Sequence, residues 1–144
     1  MYIFEIHGQP VPQKQTAFNR RSGHAYNPSS KEIQFVQWQL KAYAPQEPLQ
    51  GRIEVQYTFY LPIPKGTSSI RKRQMLNDVI GHTKRPDFDN LAYLITNAMK
   101  GIVYLDDSQI TDAVIRKRYG ADPKTVIKVI PIQQSERSRG DECA

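Results

Sequence analysis

The sequence predicts an α+β fold: a single small domain in which a mixed β-sheet of about five strands packs with two main helices and a short basic helix. Three observations carry this prediction. Ile53, Val55, Tyr57, Phe59 and Leu61 alternate with Glu54, Gln56, Thr58 and Tyr60, the period of a half-buried strand. Leu91, Leu94, Ile95, Ala98 and Met99 recur at helical spacing. With 144 residues, 39% hydrophobic and 24% charged, the chain is long enough to bury one real core and ordinary enough in composition to be globular.

Taken in order, Tyr2–His7 reads as a first strand, and Gly8–Lys14, with two prolines, as a loop that continues to Tyr26. Lys14, Arg20, Arg21 and His24 in that loop are interleaved with Phe18 and Tyr26, a mixture suited to phosphates and unstacked bases and equally to a plain solvated loop. Ser29 and Glu32 fit a capping box that opens a helix running to about Tyr43, with Ile33, Val36, Leu40 and Tyr43 on one face. Trp38, to the side of that face, is assigned to the core or an interface rather than to base stacking. Arg52–Leu61 is a strand, stopped by Pro62 and Pro64. A short helix from Ser69 to about Asn77 carries Arg71, Lys72 and Arg73. After Pro86 a second long helix runs to Gly101, a natural residue just past a helix end. Ile102–Leu105 reads as a short strand, Asp106–Ser108 as a turn, and Thr111–Tyr119 and Thr125–Ile132 as two strands joined through Gly120–Lys124. Residues 1–132 are expected to form the domain, and residues 133–144, which lack hydrophobic periodicity, a disordered tail.

Net charge is +6, and its distribution is uneven. Residues 1–85 hold 12 Lys and Arg against 5 Asp and Glu; residues 86–144 hold 8 against 9. A basic surface favours polyanions through counterion release. No apolar run is long enough for a membrane helix. The start of the chain has no basic region preceding an apolar one, and the single cysteine, Cys143, has no internal partner, so a cytoplasmic setting is expected. One cysteine and three scattered histidines supply no zinc pattern.

Within this basic chain four carboxylates, Asp87, Asp89, Asp106 and Asp107, fall inside twenty-one residues. Like charges gather when a cation sits among them, and oxygen ligands suit Mg2+ or Mn2+. An acidic metal cluster in a basic protein is the form of a metal-dependent enzyme acting on a polyanion, here a DNA endonuclease. Asp87, Asp89 and Asp107 are expected in one metal site, with carboxylates roughly 4–7 Å apart. The plain alternatives are that Asp87 caps a helix and that Asp106 and Asp107 are ordinary turn residues. A nucleotide-sugar enzyme using Asp87-Phe88-Asp89 has little support, because no βαβ pattern with a glycine-rich turn precedes the motif. Helix 88–100 is about 20 Å long. A four-residue strand returning beside it spans only about 10–13 Å, so bending or a partner subunit is needed to join the two acidic pairs. Lys65, Arg71, Lys72, Arg73, Lys84 and Arg85 flank the cluster in sequence and, with Lys14, Arg20 and Arg21, are the candidate phosphate contacts.

Arg-Pro-Asp-Phe-Asp-Asn-Leu at 85–91, Asn-Ala-Met-Lys-Gly-Ile-Val-Tyr at 97–104 and Leu-Asp-Asp-Ser-Gln-Ile at 105–110 resemble the RusA family of Holliday junction resolvases. The resemblance implies a small dimeric endonuclease that cuts four-way DNA junctions with Mg2+. It implies that Asp87, Asp89 and Asp107 are the essential acids, that Asp106 is an adjacent ligand, and that Asn90 and Gln109 support them. One departure stands out. The family pattern carries a lysine four residues after the second aspartate, and here that residue is Tyr93; a nearby acidic position is Asn97. Lys84 is the candidate to take over the lysine's charge. The alternative is a structure-specific DNA-binding protein with a degenerate nuclease site. A homodimer is expected because a four-way junction presents two scissile strands related by near two-fold symmetry. Trp38 with its apolar neighbours, or the exposed side of strand 52–61, is the expected interface.

Overall fold

A computed structural model describes residues 1–15, 17, 18 and 20–133 of the chain. The elements, in order, are β1 (Tyr2–His7), β2 (Ala17–Phe18), β3 (Ala25–Tyr26), α1 (Ser30–Lys41), β4 (Ile53–Pro62), α2 (Ser69–Leu76), α3 (Phe88–Met99), a 3-10 turn (Asp107–Gln109), β5 (Ile110–Gly120) and β6 (Lys124–Pro131). The main sheet has four strands in the order β1-β6-β4-β5; only the β4–β5 pair is parallel. The expected α+β architecture is therefore present, with a mixed sheet, two main helices and the short basic helix.

One sheet face is the core. Phe4 and Ile6 of β1, the alternating Ile53 to Leu61 of β4, and Ile127 and Val129 of β6 all point to it. Val36 and Leu40 of α1, and Leu91, Leu94, Ile95, Ala98 and Met99 of α3, close over it. Period two on the strands and period 3.6 on the helices meet on one apolar layer. No helix among the described residues is long and apolar enough to cross a membrane.

Several local expectations change. Ile102–Leu105 is not a strand: Gly101, at φ 82°, turns the chain back, so that Gly101 N–H reaches Tyr104 O at 2.7 Å and Val103 N–H reaches Met99 O at 2.8 Å. The span 13–26 is not wholly loop, since β2 and β3 pair as a hairpin. Ser29 does sit at the N-cap of α1, but no capping box forms; its hydroxyl accepts the Lys14 N–H at 2.8 Å and so anchors the preceding loop. Trp38 is 76% exposed and outside the core, and Tyr43 lies beyond the helix end, also exposed. The two strands β5 and β6 are joined through the expected segment, and in the sheet β4 lies between them. The expected tail, apart from residue 133, lies outside the described residues.

The crossing over β4 has a local requirement. A Cβ on Gly120 would stand 2.9 Å from Tyr60 Cβ and 3.2 Å from its ring. The obstacle is the root of a side chain, which has little freedom to yield. Gly120→Ala is expected to lower unfolding free energy by roughly 1–3 kcal/mol, the usual range for overpacking, in a urea titration. An unchanged midpoint would contradict the close approach.

Candidate functional site

The segment Arg85–Leu91 turns into α3 with Asp87 at its N-cap, in extended conformation, and Asp89 in its first turn. The Arg85–Pro86 peptide is cis. Asp87 makes no side-chain capping bond, so its carboxylate is not spent on the helix's own N–H groups. Among the described residues, Asp89 Oδ1 accepts the adjacent Asn90 N–H, at 2.9 Å. Both side chains are exposed, at the end of the helix where the macrodipole favours negative charge.

Two anchors hold this end of α3. From the loop, Gln13 N–H donates to Asn90 O at 2.9 Å, while Asn97 Nδ2 donates to Gln13 Oε1 at 3.4 Å. From the sheet, Lys117 lies beside Phe59 in the β4–β5 register and therefore points to the helix-bearing face. Its Nζ donates to Lys84 O at 2.7 Å and to Pro86 O at 2.8 Å. Sequence reasoning missed Lys117. The available signal was its place between Ile115 and Tyr119 on the inward-facing phase of a strand, where a cation needs a polar reason to be.

Beside Asp87 are two grooves that share Gln9, Arg85 and Pro86 as a wall. One, of about 410 Å³, is lined by residues 9–13 together with Asp87 and Asn90. The other, of about 470 Å³, brings Lys65, Lys84 and Arg85 together over a floor that includes Pro62, Ile63, Pro64 and Tyr119. His82 lines it as well, with its ring 4.9 Å from Tyr119. Burial first, then the charges of Lys117 and Lys84, hold the His82 imidazole below its usual pKa. Both effects favour its neutral form over a further cation in the groove.

The remaining predicted cations lie elsewhere. Arg71, Lys72 and Arg73 are all exposed on α2, whose one buried side chain is Met75. That helix stands beside β5, where Asp78 pairs with Arg118 at 3.2 Å. Arg20 and Arg21 are exposed between β2 and β3, and Lys14 is exposed on the loop anchored by Ser29.

The second acidic pair sits at the other end of α3. Asp106 caps the 3-10 turn: its carboxylate accepts from Ser108 N–H and Oγ, and Gln109 returns a bond to the Asp106 N–H at 2.9 Å. Lys100 Nζ pairs with Asp106 at 2.9 Å. Gln109 Nε2 also donates to Leu49 O and Gly51 O, each at 2.9 Å, which ties the turn to the chain ahead of β4. Asp107 is exposed and its carboxylate has no hydrogen bond among the described residues. Its charge falls on the Tyr57 and Tyr104 hydroxyls, both of which bond Thr96. Burial is the main reason those two phenols titrate above the ordinary range, with Asp107 adding to it.

From Asp89 to Lys100 is eleven helical residues, about 16 Å of rise. The four acids thus form two pairs at opposite ends of a straight helix. Among the described residues, no group of three or more His, Cys, Asp or Glu side chains is close enough to hold a metal ion. One chain alone does not assemble the expected three-carboxylate site. The donor chemistry, all hard carboxylate oxygen, suits Mg2+ or Mn2+; the ligand count at either end does not complete a set. Between the two pairs, one turn from Asp89, lies Tyr93, 54% exposed.

The family model for endodeoxyribonuclease RusA matches residues 7–130. The chain is also 26% identical over 132 residues to the uncharacterized protein YqaN of Bacillus subtilis (strain 168), an overlap covering 88% of this chain and 93% of that one.

Asp106 is held well below the ordinary 3.8, at about 2, by the Ser108 hydroxyl first and then by Lys100. A depressed carboxylate pKa means that this contribution to folding is present above the unfolded value and is lost as pH falls through the folded one. Ser108→Ala is therefore expected to move the Asp106 titration upward in an NMR pH series. An Asp106 that titrates unchanged in the variant would contradict the assignment.

Proposed function

Because the chain belongs to the endodeoxyribonuclease RusA family, we propose that it is a homodimeric, Mg2+- or Mn2+-dependent endonuclease of four-way DNA junctions. The observation that carries the proposal is a juxtaposition in the chain: two exposed carboxylates at the start of α3 directly follow the Arg85–Pro86 segment that walls a groove holding Lys65, Lys84 and Arg85. Cations grip the phosphates of a strand, and the acids stand where the strand meets the helix end.

Asp87 and Asp89 of one protomer would hold the ion together with the partner's Asp107. A copy laid antiparallel along the exposed stripe of α3 matches the two ends of the helix to each other, and two-fold symmetry makes the match twice. Phe88 at the start of α3 and Leu105 in the segment that follows the helix, both apolar and more than half exposed, suit such a contact. Asp106, already engaged by Ser108 and Lys100, acts by shaping the turn that presents Asp107.

A bound Mg2+ supplies a water of lowered pKa and neutralises charge on the phosphate. The protein's own part is to place the scissile phosphate. Lys84 and Arg85 hold non-bridging oxygens, and Lys65 holds a neighbouring phosphate in the same groove. The reaction is hydrolysis of one phosphodiester P–O bond by water at each of two symmetry-related strands.

A second reading is favoured by one specific observation. Tyr93 stands where the family pattern carries a lysine, and Asn97 is tied to Gln13 instead of contributing an acid. On that reading the protein binds junctions with its nuclease site disabled. Lys84, already at the groove, is the group that makes the lysine dispensable in the first reading.

Two experiments separate these possibilities. In a junction-nicking assay with Mg2+ or Mn2+, Asp87→Asn and Asp107→Asn are each expected to be inactive. Their equimolar mixture, after subunit exchange, should regain about a quarter of wild-type nicking, because half of the dimers then keep one of two intact composite sites. No recovery, with both variants still dimeric and binding junctions, overturns the shared site. Tyr93→Lys is expected to change wild-type cleavage little. Cleavage that appears only in Tyr93→Lys, at similar junction affinity, establishes the disabled-site reading instead.

A further inference from the structure

We propose that Lys117 is a positioning residue for the metal-binding carboxylate of Asp87, a role that rests on the metal-dependent reading above. Its ammonium donates to Lys84 O at 2.7 Å and Pro86 O at 2.8 Å. These carbonyls bracket Arg85 and Pro86, so one side chain holds the Lys84–Arg85 and Pro86–Asp87 peptide units on either side of the Arg85–Pro86 bond. The same span carries the Lys84 and Arg85 side chains into the cationic groove. Lys117 therefore fixes where the Asp87 Cα stands, whereas the long, flexible Lys84 and Arg85 side chains can still reach phosphates from a shifted backbone.

Asp87 needs such a hold. It occupies an N-cap position, yet no capping bond orients its carboxylate. An N-cap aspartate normally gains its orientation from that bond. Here the backbone before it is held from the sheet, and the carboxylate oxygens stay open. Charge-assisted hydrogen bonds are roughly twice as strong as neutral ones, and an ammonium has three donors, enough to hold two carbonyls with one to spare.

Stability alone does not account for the lysine. Its neighbours on the inward phase of β5 are Ile115 and Tyr119, and its register partner on β4 is the buried Phe59. Lys117 is half-buried, so its hydrogen bonds to the loop carbonyls compete with water and add little net stability, and an unbranched apolar side chain fits beside Phe59 and Tyr119. The lysine is instead used on the loop that carries the acid.

The test is Mn2+ binding by the full-length dimer, followed by electron paramagnetic resonance, with junction affinity measured separately in EDTA. Lys117→Met is expected to keep its melting temperature and its junction affinity. Its Mn2+ affinity should fall about 10- to 100-fold, the range seen when groups that orient metal ligands are removed. Lys117→Arg, which keeps the charge and several donors, should recover most of that loss, and Asp87→Asn sets the floor. In cleavage, Lys117→Met should lower kcat with little change in the KM for junction. Equal Mn2+ affinity in wild type and Lys117→Met overturns the role of Lys117 while leaving the metal reading intact. Absence of Mn2+ binding by wild type overturns the metal reading and this role together. If Lys117→Met is unstable, Lys117→Arg decides: Mn2+ affinity near the Asp87→Asn floor in a folded Lys117→Arg protein refutes positioning by donation to the two carbonyls.

Discussion

The apolar face of α3 pressed onto the sheet is the constraint on which the rest depends. Leu91, Ala92, Leu94, Ile95, Ala98 and Met99 are all buried there against β4 and β6. Burying each large side chain is worth about 1.5–3 kcal/mol against leaving it exposed. An exposed ion pair such as Lys100–Asp106 or Arg118–Asp78 contributes about 0–1 kcal/mol. Packing therefore decides where the helix lies, and the charged groups at its ends follow. The helix is a rod with an acidic pair at each end, and its length separates them.

That separation shapes the chemistry. Carboxylates used in folding and carboxylates left open are distinguishable by their partners. Asp106 is consumed by the Ser108 and Lys100 contacts, whereas among the described residues Asp87 and Asp107 make no such bonds. Leaving a carboxylate unpartnered costs little in water, because solvent satisfies it; it becomes expensive only when another anion arrives. A cation is the natural mediator between open carboxylates and a phosphate strand. The groove beside them gathers Lys65, Lys84 and Arg85 with Pro62, Ile63, Pro64 and Tyr119.

The inward-facing Lys117 joins the two regions. Strand β5 is an edge strand, and its helix-side positions run Ile115, Lys117 and Tyr119. The sheet thus reaches the loop at Lys84–Pro86 directly through one ammonium, without an intervening helix. On the other flank, the loop from Gly8 to Gln15 reaches α3 through Gln13 and is itself tied to α1 through Ser29. The start of α3 is thereby gripped from both sides of the fold while its side chains stay in solvent.

Local chemistry was legible in the amino-acid order: the strict alternation of β4, the helical face of α3, the N-terminal position of Asp87 and Asp89, and the family motif that bears them. These depend on nearest neighbours and on period, which a sequence displays. Tertiary structure decided the rest. Trp38 could be assigned from the sequence only to the core or an interface; its azimuth on α1 turns it to solvent and so leaves it out of this chain's core. Consecutive strands β5 and β6 were set apart by β4, a choice made by sheet pairing and permitted by Gly120 passing Tyr60. Ile102–Leu105 has the composition of a strand, but it closes onto the end of α3 through backbone bonds that composition does not encode. Twenty-one residues of sequence placed four acids together. Twelve residues of rigid helix, at about 1.5 Å each, put them at two ends of the same chain.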